Sequence, residues 1–226
     1  MLAFLVLLPS LAPAQFYNIA TVAGNGQAQF GGGGQAVNAK LVAPRSVAVD
    51  PSGNFYVSDS YYNQVFRIAP SGIITAYAGN GTQGFSGDGG TATAAQLFSP
   101  MGVALDLTGN LYIADNGNSR VRKISPSGVI TTVAEVATGV ARVAADATGN
   151  LYVSGGHVVV KVDTAGKVSP FAGSGTAGYS GDAGQAAAAM LFGPQGLRVD
   201  SSGNVFIADQ QNNRIRKVTP QGIISR

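Results

Sequence analysis

The sequence predicts an all-β chain made of four consecutive four-stranded antiparallel sheets. Three observations lead there. The phrase Asp-x-x-Gly-Asn, followed by an alternating apolar run, occurs at 50–54, 106–110, 146–150 and 200–204. Its glycines, Gly53, Gly109, Gly149 and Gly203, recur at intervals of 56, 40 and 54 residues. Between them, short strand-like runs alternate with clusters of Gly, Pro, Asn and Ser. A period this long, filled with strands, describes a repeat architecture rather than one globular core.

The second repeat justifies the elements in order. Residues 101–106, Met-Gly-Val-Ala-Leu-Asp, alternate with period two and form the first strand. Leu107-Thr108-Gly109-Asn110 is a turn, because Gly and Asn accept positive φ. Residues 111–115 form the second strand, 116–119 a polar loop and 120–124 the third strand. Ser125-Pro126-Ser127-Gly128 turns the chain into a fourth strand at 129–134. Such a meander cannot bury both faces alone. Stacking several around an axis covers the faces and protects the edges, which is the β-propeller.

Composition agrees and excludes some classes. The chain has 226 residues, 32 of them Gly, and only 11% are charged. A hydrophobic content of 45% suffices for a buried core, so the chain is not disordered. The formal net charge of +3 is too small and dispersed to imply nucleic acid. With no cysteine, disulfides and thiolate-held metals are excluded. Residues 1–14 contain an apolar run, Leu2 to Leu8, and a small-x-small Ala12-Pro13-Ala14. They read as a signal peptide, although no Lys or Arg precedes the run. The expected organisation is a signal peptide at 1–14 and a propeller at 15–226, with repeats at about 19–72, 73–128, 129–166 and 167–226. The expected location is secreted or periplasmic, with no membrane span.

The repeats resemble a known family. Asn-Leu-Tyr-Ile-Ala-Asp at 110–115, followed by Asn118-Ser119-Arg120-Val121-Arg122-Lys123-Ile124, is similar to the NHL repeat. So are 204–209 with 212–218 and, less closely, 54–59 with 63–68. The resemblance covers nearly all of 19–226 and implies a propeller that is usually six-bladed. Strands of the fourth kind stand at 19–23, 73–78, 129–134 and 168–172, and another begins at Ile223. A closed four-bladed ring would leave 223–226 surplus. Four blades of a six-bladed ring are therefore expected. An open arc would expose an apolar blade face at each end and favour self-association.

The third repeat departs from the others. It has Gly155 where they have Asp, and its loop between the second and third strands is two residues shorter. Asp115 and Arg120 flank a four-residue hairpin loop, as do Asp209 and Arg214. The third repeat lacks both members, so each is expected to be a structural pair facing across its hairpin.

One rim carries these hairpin loops and the long interblade loops at 24–43, 79–99 and 173–193. Phe85-Ser86-Gly87-Asp88-Gly89-Gly90 nearly copies Tyr179-Ser180-Gly181-Asp182-Ala183-Gly184. Each precedes an Ala-rich stretch expected to form one or two helical turns that plug the loop. Asp88 and Asp182 are weak calcium candidates, since one carboxylate per loop falls short of the six to eight oxygens that Ca²⁺ takes. The alternative is that they cap the turn or bind loop NH groups. Tyr61, Tyr62, Phe85 and Tyr179, with Asn116, Asn118, Gln210, Gln211 and Asn212, form a candidate polar-aromatic ligand surface.

The function expected is a non-catalytic scaffold binding a protein, peptide or glycan, without cofactor and without nucleic acid. The alternative is an enzyme. Propellers of similar repeat type include lactonases and lyases, and the resemblance implies chemistry at central metals. This chain has one His, His157, and one Glu, Glu135, so its active residues would lie in blades outside this sequence. RNA binding, known for some NHL propellers, would fall to Arg120, Arg122, Lys123, Arg214, Arg216 and Lys217, whose stems can instead cover neighbouring blades.

Overall fold

The computed structural model describes residues 20–25 and 34–226. The expected signal peptide lies outside the described residues.

The Asp-x-x-Gly-Asn phrase is a self-bonded turn. In the second repeat, Asp106 Oδ1 accepts from the backbone NH of Thr108 and Asn110, each at 2.9 Å. Its Oδ2 accepts from Asn110 Nδ2 at 2.7 Å and from the Tyr112 hydroxyl at 3.1 Å. Gly109 takes φ +83°, which a side chain would resist. Asp50, Asp146 and Asp200 repeat the pattern on Asn54, Asn150 and Asn204. This turn pins the register of the first two strands in every repeat.

Four antiparallel sheets follow in chain order. Blade I holds β1 (Gly34–Gln35), β2 (Pro44–Val49), β3 (Phe55–Asp59), β4 (Gln64–Ile68) and β5 (Ile73–Ala78). Blade II holds β6 (Pro100–Leu105), β7 (Leu111–Asp115), β8 (Arg120–Ile124) and β9 (Ile130–Glu135). Blade III holds β10 (Arg142–Ala145), β11 (Leu151–Gly155), β12 (Val158–Val162) and β13 (Val168–Ala172). Blade IV holds β14 (Pro194–Val199), β15 (Val205–Asp209), β16 (Arg214–Val218) and β17 (Ile224–Ser225). The inner strands β2, β6, β10 and β14 neighbour one another in that order. The architecture is the β-propeller expected.

One strand expectation is corrected. Residues 20–23 carry no strand; Ile19 lies outside the described residues. Residues 20–25 dock instead on the loop ahead of blade I, where the Gly24 NH donates to the Ala36 carbonyl at 2.9 Å. The strand expected to begin at Ile223 is present at Ile224–Ser225. Ile224 lies opposite Val218 and Ser225 opposite Lys217, so β17 completes blade IV.

The core lies between blades. One cluster joins blades I and II around Tyr56, Val65, Val103, Ile113 and Ile130. A second joins II and III around Tyr112, Val121, Val143 and Val153. A third joins III and IV around Tyr152, Val159, Val205 and Ile207. Hydroxyls stitch the same interfaces: Ser58 donates to the Met101 carbonyl and Ser154 to the Gln195 carbonyl. A fourth cluster covers the outer strands of blade I with Ala36 and Ala39 of the preceding segment. The inner strand of that face stays open. Val47 is 58% exposed, whereas its equivalents Val103 and Val143 are each 5% exposed.

Candidate functional site

The candidate surface is the rim that carries the β-hairpin loops and the Gly-rich interblade loops. The Ala-rich stretches form short 3-10 turns, as expected, at Ala92–Ala94 and Ala186–Ala188. Ala36–Asn38 forms a third, and each turn buries its first alanine. The loop start bonds to it: Gly79 NH donates to the Ala92 carbonyl and Gly173 NH to the Ala186 carbonyl. These loops are folded bodies on the outer edge of the blade that follows.

What holds them is an arginine clamp. Arg122, on β8, is fully buried. Its Nη2 donates to Asp88 Oδ1 at 2.7 Å and to the Ser86 carbonyl at 3.1 Å. Its Nη1 reaches the Gln96 carbonyl at 3.4 Å and Asp115 Oδ2 at 3.5 Å. Buried Asp115 also accepts from the Phe98 NH at 2.7 Å and Asn118 Nδ2 at 2.8 Å. The Phe85 ring lies 3.8 Å from the Arg120 guanidinium carbon and 4.8 Å from that of Arg122. Blade IV repeats the clamp. Arg216 holds Asp182 at 2.9 Å, the Ser180 carbonyl at 3.0 Å and Asp209 at 3.4 Å, with Tyr179 stacked on Arg214 and Arg216.

This corrects the pairing expected across the hairpin. Register does place Asp115 opposite Arg120 and Asp209 opposite Arg214. The partners of the aspartates are nevertheless Arg122 and Arg216, two residues further on and facing the loop. Arg120 pairs with Glu135 at 2.6 Å, and Arg214 donates to the Asn212 carbonyl. The joint loss in blade III has a steric cause. Its short interblade loop runs where the aspartate would stand, and a Cβ on Gly155 would lie 2.0 Å from the Gly139 carbonyl oxygen. Val160 fills the arginine position there.

The clamp also bears on the calcium reading. A guanidinium stands against each candidate carboxylate, Asp88 and Asp182, where a cation would have to sit. Burial raises the Asp88 pKa, but hydrogen bonds, that of Arg122 among them, outweigh it and hold the carboxyl below its ordinary range. The Tyr179 hydroxyl, which bonds Asp182, is the largest cause lowering that carboxyl. Asp115 goes the other way: burial raises it despite Asn118, the Phe98 NH and Arg122.

The other expected ligand residues divide into two groups. Asn116 donates to the Val140 carbonyl, Asn118 to the Gly84 carbonyl and Asn212 to the Gly178 carbonyl. With Phe85 and Tyr179 they build the rim. Tyr61 (66% exposed), Gln210 and Gln211 face solvent from hairpin tips. Tyr62 packs edge-on against Phe66, behind Tyr61. The residues named for enzyme chemistry have structural partners: Glu135 bonds Arg120, and His157 Nδ1 accepts from the Gly193 NH while its ring meets Phe192.

Sequence reasoning missed a second concave surface. A channel of about 920 Å³ runs along the inner strands, lined by Val47, Ala48, Val103, Ala104, Val143 and Ala144, with Arg142 and Arg198. The signal was present: Arg142 occupies the repeat position held by Ser46, Gly102 and Gly196.

Residues 78–142 match the family described as Teneurin NHL domain, and residues 193–218 match the NHL repeat. Mouse (Mus musculus) Teneurin-3 is 30% identical over 195 residues, which cover 85% of this chain and 6% of that protein. The chain thus spans a small part of the curated relatives it matches. Among solved structures, an auxiliary nutrient binding protein from Bacteroides ovatus superposes with a TM-score of 0.65 at 15% identity. That match covers 84% of this chain and 48% of the other. A streptogramin B lyase superposes at 0.60 with 14% identity, covering 81% and 53%. At these identities the solved structures speak for the fold alone. Among the described residues, no helix is long and apolar enough to cross a membrane.

Proposed function

The chain belongs to the NHL-repeat β-propeller family, and from that premise we propose that it is a non-catalytic binding scaffold of the cell exterior. The clamped rim is its ligand surface, and a protein, peptide or glycan is its partner. One observation carries this reading. Two Gly-rich loops, mobile by composition, are each locked by a fully buried arginine bonded to two aspartates and to loop carbonyls. A loop held in one shape loses little entropy when a ligand lands on it. Beside these loops stand the exposed Tyr61, Gln210 and Gln211, an aromatic and amide mixture suited to peptide backbone or sugar hydroxyls.

The enzyme alternative draws on the streptogramin B lyase likeness, which is one of fold. His157 and Glu135 are held by structural partners, so nothing in the described residues favours that reading over binding.

Peptide and glycan arrays probed with the wild type and with a Tyr61→Ala/Gln210→Ala/Gln211→Ala variant test the proposal. Ligands retained by the wild type and lost by the variant are expected. An identical profile for both proteins would move the site off this rim.

A further inference from the structure

The strongest unassigned feature is an arginine pair, Arg142 in the lining of the central channel and Arg45 beside it, next to Ser46 of the lining. Arg45 and Arg142 come from the inner strands of blades I and III, with blade II between them. They meet because blade II is thin there. A Cβ on Gly102 would lie 2.8 Å from the Arg142 Cα, so only glycine lets β10 come this close. Arg45 sits at a β-bulge: Pro44 pairs with Asp59 and Ser46 with Ser58, which leaves Arg45 without an opposite residue. Bulges re-aim a side chain out of the regular ladder.

The contacts leave both charges without counter-charge. Arg142 is half-buried; its Nη1 donates to the Ala141 carbonyl at 2.8 Å and its Nη2 to the Arg45 carbonyl at 3.4 Å. Arg45 Nε donates to Ser60 Oγ at 2.9 Å. Among the described residues neither guanidinium has a carboxylate partner, whereas Arg120, Arg122 and Arg216 each do. Burial, then the charge of Arg45, holds the Arg142 pKa below its ordinary value. Two like charges at a partly desolvated mouth repel unless an anion joins them. Beside Arg142 the channel wall carries an apolar strip of Val47, Ala48, Val103, Ala104 and Ala144, with Arg198 on the facing strand and Asp50 and Asp106 towards the turns.

We propose that the channel mouth binds an amphipathic organic anion, its carboxylate or phosphate head held by Arg45 and Arg142 and its apolar body lying along the inner strands. Both heads present oxygens that match a guanidinium fork. This site adjoins the rim, since Arg45 bonds Ser60 beside Tyr61, but it uses none of the residues changed in the rim variant, so the failure of one test is distinguishable from the failure of the other.

Isothermal titration of the chain with decanoate and with decyl phosphate tests it, with inorganic phosphate as the headgroup alone. Saturable one-to-one binding of both decyl ligands is expected, with inorganic phosphate weaker. Arg142→Gln and Arg45→Gln should each weaken the decyl ligands by about tenfold or more, and Arg142→Lys by less. Arg45 is exposed, so its variant keeps the test open if Arg142→Gln misfolds. The proposal is overturned if neither decyl ligand saturates, or if the glutamine variants bind as the wild type does. Inorganic phosphate binding as tightly as decanoate would equally refute a role for the apolar wall.

Discussion

Arg122 and Arg216 show how one side chain can decide the shape of a loop some thirty residues earlier. Each guanidinium is fully buried, ties two aspartates and loop carbonyls together, and leaves its Nε without a partner. Removing it strands a buried carboxylate, Asp115 or Asp209. Breaking a buried pair from one side costs about 3–5 kcal/mol. Arg122→Leu should therefore lower unfolding stability by that order. The double variant Asp115→Asn/Arg122→Leu should cost less than its two single variants added together. Arg120→Ala, which breaks a pair with exposed Glu135 and the stacking of Arg120 on Phe85, should cost within about 2 kcal/mol. Urea unfolding of the wild type and the four variants checks the ranking, and a larger loss in Arg120→Ala than in Arg122→Leu would return the pairing to the hairpin. Half of this was legible. The joint departure of blade III pointed to a structural pair, and Asp115 was correctly one member. The choice of arginine was not legible. Arg120 and Arg122 share a strand face, and only the folded interblade loop decides which one meets the aspartate.

At the scale of the element, the repeated turn was read from five residues, and the structure adds its electrostatics. Burial raises Asp106 and Asp146, but hydrogen bonds from the turn outweigh it and leave both carboxyls below their ordinary value. With the folded pKa depressed, the unfolded chain binds more protons as pH falls through this window. The stability these turns supply is thus fully present above about pH 4 and is lost as pH falls through the folded values. Asp115 has the opposite sign and offsets part of the slope. The melting temperature should fall steadily below pH 4, and Asp106→Asn should melt lower at pH 7 with a shallower acid slope. A variant curve parallel to the wild type would remove the turn carboxylates from the account. The third long loop shows where reading by motif stops. The ends of the third loop, residues 24–25 and 34–41, make the same Gly-to-Ala-turn bonds as the other two, with the Gly24 NH on the Ala36 carbonyl, although the loop sequence lacks the Ser-Gly-Asp core. Backbone bonding to the 3-10 turn, rather than the aspartate, defines that shape.

At the scale of the whole molecule, every interior interface mates the same two faces. The Val103-type face of one blade packs on the Tyr56-type face of the blade before it. The first blade leaves Val47 and Val49 of its own copy of the former face 58% and 53% exposed. The fourth leaves Ile215 59% exposed, where Val65, Val121 and Val159 are fully buried. These two open faces are complementary to each other, and complementary apolar patches on one chain drive head-to-tail association. Sedimentation velocity should show assembly that grows with concentration, and Val47→Lys or Ile215→Lys should each return the chain to monomer. A wild type that stays monomeric throughout would mean that these faces do not mate between copies. The channel at the centre was the least legible feature. Arg45 and Arg142 are nearly a hundred residues apart, and no local pattern links them before the blades are stacked.

The reading of the rim as the ligand surface is tested most directly by hydrogen–deuterium exchange of the wild-type chain with and without a ligand selected on the arrays. Protection is predicted at the hairpin tips carrying Tyr61 and Gln210–Asn212 and along the clamped loops at 84–90 and 178–184. Protection confined to the opposite rim, at the turns around Gly53, Gly109, Gly149 and Gly203, or no protection anywhere, would contradict it.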